Sequence, residues 1–558
     1  MERNGAQIII ETLIEQGCDT VFGYPGGQVL NIFDELYNRK DRITHIIMAH
    51  EQGASHAADG YARASGKPGV VIATSGPGST NIVTGLATAY LDSVPVVAIT
   101  GNVPTTLLGR DSFQEVDIVD ITKSVTKRNW IVKDVTHLAD TLRMAWQTAI
   151  SGRPGPVLVD VPKDVQCALC EFTPAPAVSK LPPELASDSY VDAAALMVNK
   201  STRPYIYIGG GVITAGAEDE LLALSEKLDA PMGSSLMGLS AVPAGTPRYL
   251  GMQGMHGHYA SSKAEDEADL VIAVGVRFSD RATGNKDRFA RNFRIIHIDI
   301  DDKELNKNIP ADIAMKGELK DALSRLVSKV EKKTLPEWNE RINELLEEES
   351  NYTEKAMQRT PEGNLNPYRI IDVVSSFSSG LTVATDVGQH QMWTAQRYPF
   401  NGTRTFLTSG GLGTMGYGMG AAIGASKATG KKSVLFTGDG SFGMNLNELT
   451  TAVTKKTPLV VVILNNGVLG MVRQWQTLFF NEHYSETTLE RPTDFVKLAE
   501  AFGAKGTRVF TEEELKKACE EAFSSEGTFV IDCAVDCDEF VLPMLPPGGS
   551  IDDIITGM

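Results

Sequence analysis

The chain has 558 residues, 42% of them hydrophobic and 22% charged, a globular balance at a length that calls for three or four domains. Its formal net charge of -18 speaks against a nucleic-acid or anionic-membrane surface, and six cysteines in so long a chain fit a reducing cytosol.

The N-terminal "MERNGAQIIIETLIEQG" reads as an amphipathic helix of the fold, without the basic start of a signal peptide or the Arg/Ser richness of a transit segment. Apolar runs such as "PLVVVIL" are far too short to span a bilayer, so a cytoplasmic location is the expectation. "HEQGASH" invites a zinc-protease reading, but His50 and His56 would stand about 240° apart on a helix and share no face. Cys167 and Cys170 have CxxC spacing, which is half of a tetrahedral metal set.

Apolar β-branched runs followed by Gly-rich turns and helical patterns recur along the chain. "GVVIATSGPGSTN", "VPVVAITGNVP" and "GPVLVDVPKDV" come first; "RPYIYIGGGV", "ADLVIAVGVRFSD" and "FRIIHIDIDD" follow. "LTVATDVGQH", "KSVLFTGDGSF", "PLVVVILNNG" and "GTFVIDCAVD" close the series. Continuous rather than alternating apolar strands predict parallel sheets covered on both faces. Pro- and charge-rich stretches at 171–189 and 332–367 separate three α/β domains, 1–170, 190–335 and 365–540, with a tail at 541–558. The first and third each carry a Gly-rich turn after a central strand, a hint of duplication.

In the third domain "SVLFT" and "PLVVVIL" are buried strands, parallel by the right-handed crossover rule. Gly438-Asp439-Gly440 and Asn465-Asn466 then cap their carboxyl ends, where open parallel sheets bind ligands. Asp439 and Asn466 offer one carboxylate and one carboxamide oxygen, a hard donor set suited to Mg²⁺ with phosphate oxygens completing it. The glycines admit a phosphate close to the backbone, and no Walker lysine is present, so the spacing predicts a diphosphate held through a metal.

GDG followed after about two dozen residues by NN is similar to the signature of the thiamin diphosphate-dependent enzyme family. The resemblance implies Mg²⁺ on Asp439, Asn466 and the Val468 carbonyl, and proton transfer at the aminopyrimidine by Glu51 in "MAHEQGASHAADGYAR". It implies a thiamin site lined by Tyr24, Pro25, Gly26, Pro77 and Asn81 on the pyrimidine side. Val387, Gly388, Gln389, His390, Gly413 and Met415 would hold the diphosphate and rings, with Gly438, Gly440, Ser441, Leu469, Gly470 and Met471. The three doubly wound domains are then pyrimidine-binding, middle Rossmann-like and diphosphate-binding.

"SFQEVDIV", "SGRPGPVLVDVPKDVQ", "GMQGMHG", "RFSDRATG", "GMVRQWQ" and "PMLPPGG" extend the resemblance over the whole chain, to the catalytic large subunits of acetohydroxyacid (acetolactate) synthase. These transferases decarboxylate pyruvate and pass the hydroxyethyl group to pyruvate or 2-oxobutanoate, giving 2-acetolactate or 2-aceto-2-hydroxybutanoate for branched-chain amino acids. The resemblance implies Arg281 as the acceptor carboxylate's fork and Trp475 as its flat wall, with Gln114 and Lys163 lining the pocket. From "YIGGGVITAGA" and "IIHIDID" it implies a redox-silent FAD near Arg153, Gly210, His256, Arg277, Arg281, Asp299 and Asp312. A homodimer or homotetramer with the active site at the subunit interface, and a small regulatory subunit, belong to the same expectation. Pyruvate oxidase, a FAD-independent catabolic acetolactate synthase and a non-catalytic binding protein are the competing readings; intact Glu51, Asp439 and Asn466 argue against the last.

Overall fold

The apolar runs form strands buried along nearly their whole length, as in Val96–Asn102, Leu270–Val274 and Leu459–Asn465. They assemble into three six-stranded sheets in which the pairings are parallel, flanked by helices, the α/β arrangement read from the sequence. The computed structural model describes residues 1–358 and 360–557; Arg359 in the second linker and Met558 at the end of the tail lie outside the described residues.

In the first sheet the strands lie in the order Thr44–Ile47, Thr20–Gly23, Gly69–Ala73, Val96–Asn102, Val157–Pro162, Arg128–Ile131. In the third they run Phe406–Leu407, Thr382–Thr385, Ser433–Gly438, Leu459–Asn465, Thr528–Ala534, Lys505–Val509. Numbered in chain order within each sheet, both read 2-1-3-4-6-5. The middle sheet runs Tyr249–Met252, Met232–Ser234, Pro204–Ile208, Leu270–Val274, Arg294–Asp299, Ile313–Lys316, which is 3-2-1-4-5-6, the order of dinucleotide-binding domains.

The outer sheets meet through two helices, Glu51–Ser65 and Tyr417–Thr429, each joining strands 2 and 3 of its own sheet. A Cβ on Gly60 would lie 2.2 Å from the Ala421 carbonyl oxygen, and one on Gly424 would lie 2.0 Å from that of Ala57. The contact is thus reciprocal, backbone against backbone, and one apolar cluster runs through it from Phe22 to Val530. In the second linker the helix Pro336–Met357 packs on the middle sheet: Trp338 is buried and donates its Nε1–H to the Pro204 carbonyl at 3.1 Å.

Candidate functional site

Strand Ser433–Gly438 pairs with Leu459–Asn465 so that Gly438 stands opposite Leu464, which brings the two strand tips side by side. Asp439, 9% exposed, accepts the backbone N–H groups of Asn466 and Gly440. Burial raises its carboxyl to about 6 against those N–H groups, and among the described residues it makes no ion pair. The Asn466 amide nitrogen donates to Gln389 Oε1 at 3.1 Å, while its Oδ1 accepts the Val468 N–H at 3.2 Å. Val468 forms an antiparallel bridge with Thr488 whose hydrogen bonds are made by its neighbours, Leu469 N–H to Thr487 O and Leu489 N–H to Gly467 O, both at 2.8 Å. The Val468 carbonyl therefore stays outside that ladder. A buried carboxylate without counter-charge, beside one carboxamide oxygen and one carbonyl, fits a hard divalent cation.

A second set of groups gathers at the neighbouring strand end. After Thr382–Thr385 the chain passes through Val387 and Gly388 into the helix Gln389–Arg397. His390 is buried, driven down to about 3 by burial, and its Nε2 has no partner. Its Nδ1 would lie 3.1 Å from a Cβ at Gly438, so that glycine admits the ring. Ser441 Oγ donates to the Val387 carbonyl at 2.9 Å. A Cβ on Gly440 would meet Leu469 at 3.0 Å and the Met415 methyl at 4.0 Å, and one on Gly470 would meet Gln389 Oε1 at 1.9 Å. Gly413 approaches the Val387 side chain, and Met471 sits in the helix Gly470–Phe479 beside Gly470. The His390 ring is held by the Asp386 backbone and leaves Nε2 free among backbone cradles, so a polar ligand atom has a place there.

Sequence reasoning gave Asp386 no role. Its buried carboxylate accepts the N–H groups of Gly416 and Gly418, both at 2.9 Å, and the Thr437 hydroxyl at 2.9 Å. It hangs the Gly-rich loop bearing Met415 on the strand tips. An acid directly after a fully buried strand was the available signal.

In the first sheet Glu51 opens the helix Glu51–Ser65, 9% exposed, and accepts Asn81 Nδ2–H at 2.9 Å. A Cβ on Gly78 would lie 3.2 Å from its Oε1, which places the Pro77 turn against it. Gly76 (φ 61°) abuts the backbone of Gln114, itself at φ 60°. Gly26 packs on Thr74, Tyr24 donates its N–H to the Ile72 carbonyl at 3.3 Å, and Pro25 lies between them. Lys163 Nζ donates to the Gly27 carbonyl at 3.1 Å. The "HEQGASH" histidines are structural: His50 Nδ1 caps the helix by accepting the Gln52 N–H at 3.1 Å, and buried His56 is pushed down to about 3. Glu448, a second carboxylate that sequence reasoning missed, reaches across from the third sheet to accept the Ala49 and His50 N–H groups at 3.1 Å each. Among the described residues no hydrogen bond or ion pair joins Glu51 to Asp439 within the chain.

The middle domain touches both of the others, through Trp475 of the third and Arg153 of the first. Arg281, from the short helix Asp280–Thr283, lies 5.5 Å from the ring centre of Trp475 and donates to Met255 Sδ at 3.6 Å. Ser279 caps that helix through its hydroxyl, as an aspartate there also would. Strand Pro204–Ile208 ends in Gly209–Gly211 and strand Leu270–Val274 in Gly275 (φ 61°), whose Cβ would lie 2.7 Å from Gly211 Cα. Gly210 opens the helix beside Met237, and Arg277 Nη2 lies 3.1 Å from a Cβ built on Gly411. Burial pushes His256 down to about 4, helped by Arg281, and leaves its Nδ1 unpartnered. Asp299 ends the strand Arg294–Asp299 with its carboxyl raised to about 6 by burial. Arg153 ion-pairs at that edge with Glu304 (2.6 Å) and Asp301 (3.3 Å). Asp312 is not brought to this group: it accepts from Arg294 and from the Ile295 N–H, at the amino end of the same strand. Asp299 stands four residues beyond Ile295, about 13 Å along the strand.

Family models match along the chain: the "Thiamine pyrophosphate enzyme, N-terminal TPP binding domain" over residues 3–121, its "central domain" over 191–326 and its "C-terminal TPP binding domain" over 386–533. The chain is 43% identical to the probable acetolactate synthase large subunit of Methanocaldococcus jannaschii, covering 99% of this chain and 95% of that protein. It is likewise 43% identical to the mitochondrial acetolactate synthase catalytic subunit of Saccharomyces cerevisiae, over 99% of this chain and 83% of that protein. The same identity relates it to the acetolactate synthase isozyme 2 large subunit of Escherichia coli K12, over 99% of both chains.

Proposed function

The chain belongs to the thiamine pyrophosphate enzymes and, within them, to the acetolactate synthase large subunits; from that premise we propose how its residues divide the work. The activity is that of an acetohydroxyacid synthase dependent on thiamin diphosphate: pyruvate is decarboxylated and its two-carbon unit is joined to a second 2-oxo acid, opening branched-chain amino acid synthesis. The cofactor, when bound, supplies the electron sink for decarboxylation. Asp439, Asn466 and the Val468 carbonyl hold Mg²⁺, while Gln389, His390 and Ser441 receive the diphosphate. The observation that carries this reading is the buried, uncompensated Asp439 carboxyl set against the Asn466 backbone.

Glu51 moves the proton at the aminopyrimidine, held in place by Asn81 and, through its preceding turn, by Glu448. Glu51 opens a helix of the first sheet and Asp439 stands at a strand tip of the third, and in this reading each site pairs the one with the other from a second copy, in a homodimer or homotetramer. Arg281 and Trp475 form one surface that receives the acceptor, the guanidinium taking its carboxylate and the indole favouring the longer 2-oxobutanoate. Gln114 and Lys163 close the pyruvate side. The middle sheet carries FAD by its strand order, with Gly210, His256, Arg277, Asp299 and Arg153 around it. In the same reading the chain divides into residues 1–170, 190–335 and 365–540, one domain about each sheet, with a tail at 541–558. Among the described residues no helix is long and apolar enough to cross a membrane.

The test is one assay: purified protein with thiamin diphosphate, Mg²⁺ and pyruvate, with and without 2-oxobutanoate, scored for both hydroxyacids and for the flavin spectrum. Both products and an unreduced flavin are expected; flavin bleaching by pyruvate without carboligation overturns the reading.

A further inference from the structure

The segment 409–418 forms the wall between the two cofactor crevices. Gly410 faces the middle sheet, where an added Cβ would meet Met237 Sδ at 2.4 Å, and one on Gly411 would meet Leu91 Cβ at 2.8 Å and Asp92 Oδ1 at 2.9 Å before Arg277 Nη2 at 3.1 Å. Gly413 and Met415 face the diphosphate cradle, near Val387 and Gly440. One end of the wall is tied within its own sheet, by Asp386 to the Gly416 and Gly418 N–H groups. The other end is tied to a different sheet. Asp92, at the end of the helix Val83–Leu91, accepts the Gly410 N–H at 3.1 Å on Oδ2 and the Gly411 N–H at 2.8 Å on Oδ1. The Asp92 side chain is fully buried, and Arg63 Nη2 donates to it at 2.9 Å. Arg63 is held in turn by Asp59 at 2.6 Å, and Asp59 accepts the Tyr417 hydroxyl at 2.7 Å. Thr88 and Thr414 share a hydrogen bond of 2.8 Å midway.

We propose that Asp92 is a positioning residue for both cofactors, its carboxylate clamping the 410–411 end of the wall so that Met415 and Arg277 keep their places on opposite faces. The geometry favours this over simple domain glue. Both carboxylate oxygens are spent on consecutive N–H groups of a segment dominated by glycine, which has no side chain to fix itself, and the paired Arg63 keeps Asp92 oriented. Loss of a charged hydrogen bond of this kind corresponds to roughly a tenfold or larger change in the equilibrium it supports. The proposal rests on the assignment of the two crevices to thiamin diphosphate and FAD, so the experiment contains an arm that needs neither.

Asp92→Ala and Asp92→Asn are compared with the parent in three measurements. Amide hydrogen exchange across 409–418 in cofactor-free protein is expected to accelerate at residues 410–413 by about tenfold in Asp92→Ala, and less in Asp92→Asn, which keeps one acceptor. The thiamin diphosphate concentration for half-maximal turnover is expected to rise about tenfold, with kcat at saturation within about threefold of the parent, and flavin is lost more readily on dilution. Unchanged exchange at 410–413 overturns the clamp, and so does an unaltered thiamin requirement accompanied only by a lower melting temperature. A parent protein that thiamin diphosphate does not activate sinks the functional reading instead, and the exchange arm then decides on the clamp alone. If Asp92→Ala does not fold, Asp92→Asn carries the same tests.

Discussion

The first and third sheets share one strand order and meet through mirrored helices, yet equivalent positions carry different chemistry. In the first, the turn after strand 2 leads into a helix beginning with the buried Glu51, and the turn after strand 3 is the acid-free "TSGPG". In the third, the corresponding helix is preceded by a glycine loop, and the acid, Asp439, stands after strand 3. In the proposed reading one architecture thus supplies two half-sites, one for moving a proton and one for holding a metal and phosphates. The lesson is that topology fixes where a crevice opens, while the residues of a few turns decide what enters it.

The sharpest way to break that contrast is to neutralise each acid in turn. Glu51→Gln is expected to lower kcat by about 10² to 10⁴-fold with thiamin diphosphate still bound, as read by turnover beside equilibrium binding. Asp439→Asn should instead raise the Mg²⁺ and thiamin requirement, with activity recovered at high cofactor. If both variants lose binding alike, the division of labour fails.

The mirrored seam makes the next test. Gly60→Ala and Gly424→Ala each push a methyl into a carbonyl oxygen at 2.2 and 2.0 Å, so each is expected to destabilise by about 1–3 kcal/mol, measured by urea unfolding. Near-equal losses support the mirror; a loss confined to one side breaks it.

A smaller effect probes the middle sheet's contribution. Trp475→Leu removes the wall under Arg281, and the preference for 2-oxobutanoate over pyruvate is expected to fall about tenfold in competition, read from the ratio of the two products.

The smallest concerns His258 and Glu349, which join the helix Pro336–Met357 to the middle sheet. Burial alone would push His258 down, but the Glu349 carboxylate lifts it above the usual imidazole value; burial would raise Glu349, yet His258 holds it below. The histidine's share of stability is complete below about pH 6.5 and fades as pH rises through its lifted value. The glutamate's share is complete above about pH 4.3 and fades as pH falls through its lowered value. Glu349→Gln is therefore expected to cost on the order of 1 kcal/mol near pH 5.5 and less at pH 9, in paired unfolding curves.

Much of this was readable in advance because strand register is local. Two buried runs with a helix between them force Asp439 and Asn466 to neighbouring tips, and the residues from 437 to 470 suffice for the inference. The partners of Asp386, Glu448 and Asp92 were not readable. These three carboxylates serve backbone N–H groups 30, 398 and 318 residues away, and no periodicity announces such a partner. Asp312 shows the opposite failure: close in sequence to Asp299, it enters at the far end of the sheet because a loop returns the chain to begin the next parallel strand. The helix 336–357 lies in a stretch that reads as a linker, because its charge concealed the narrow stripe of Trp338, Ile342 and Leu345 that docks it.

At the seam where Gly60 and Gly424 face carbonyl oxygens, recognition is written in main-chain atoms, which any relative possesses. Grafting the first third of a distant homologue onto the remainder of this chain then needs little more than the same small residues at the join, however far the rest has drifted.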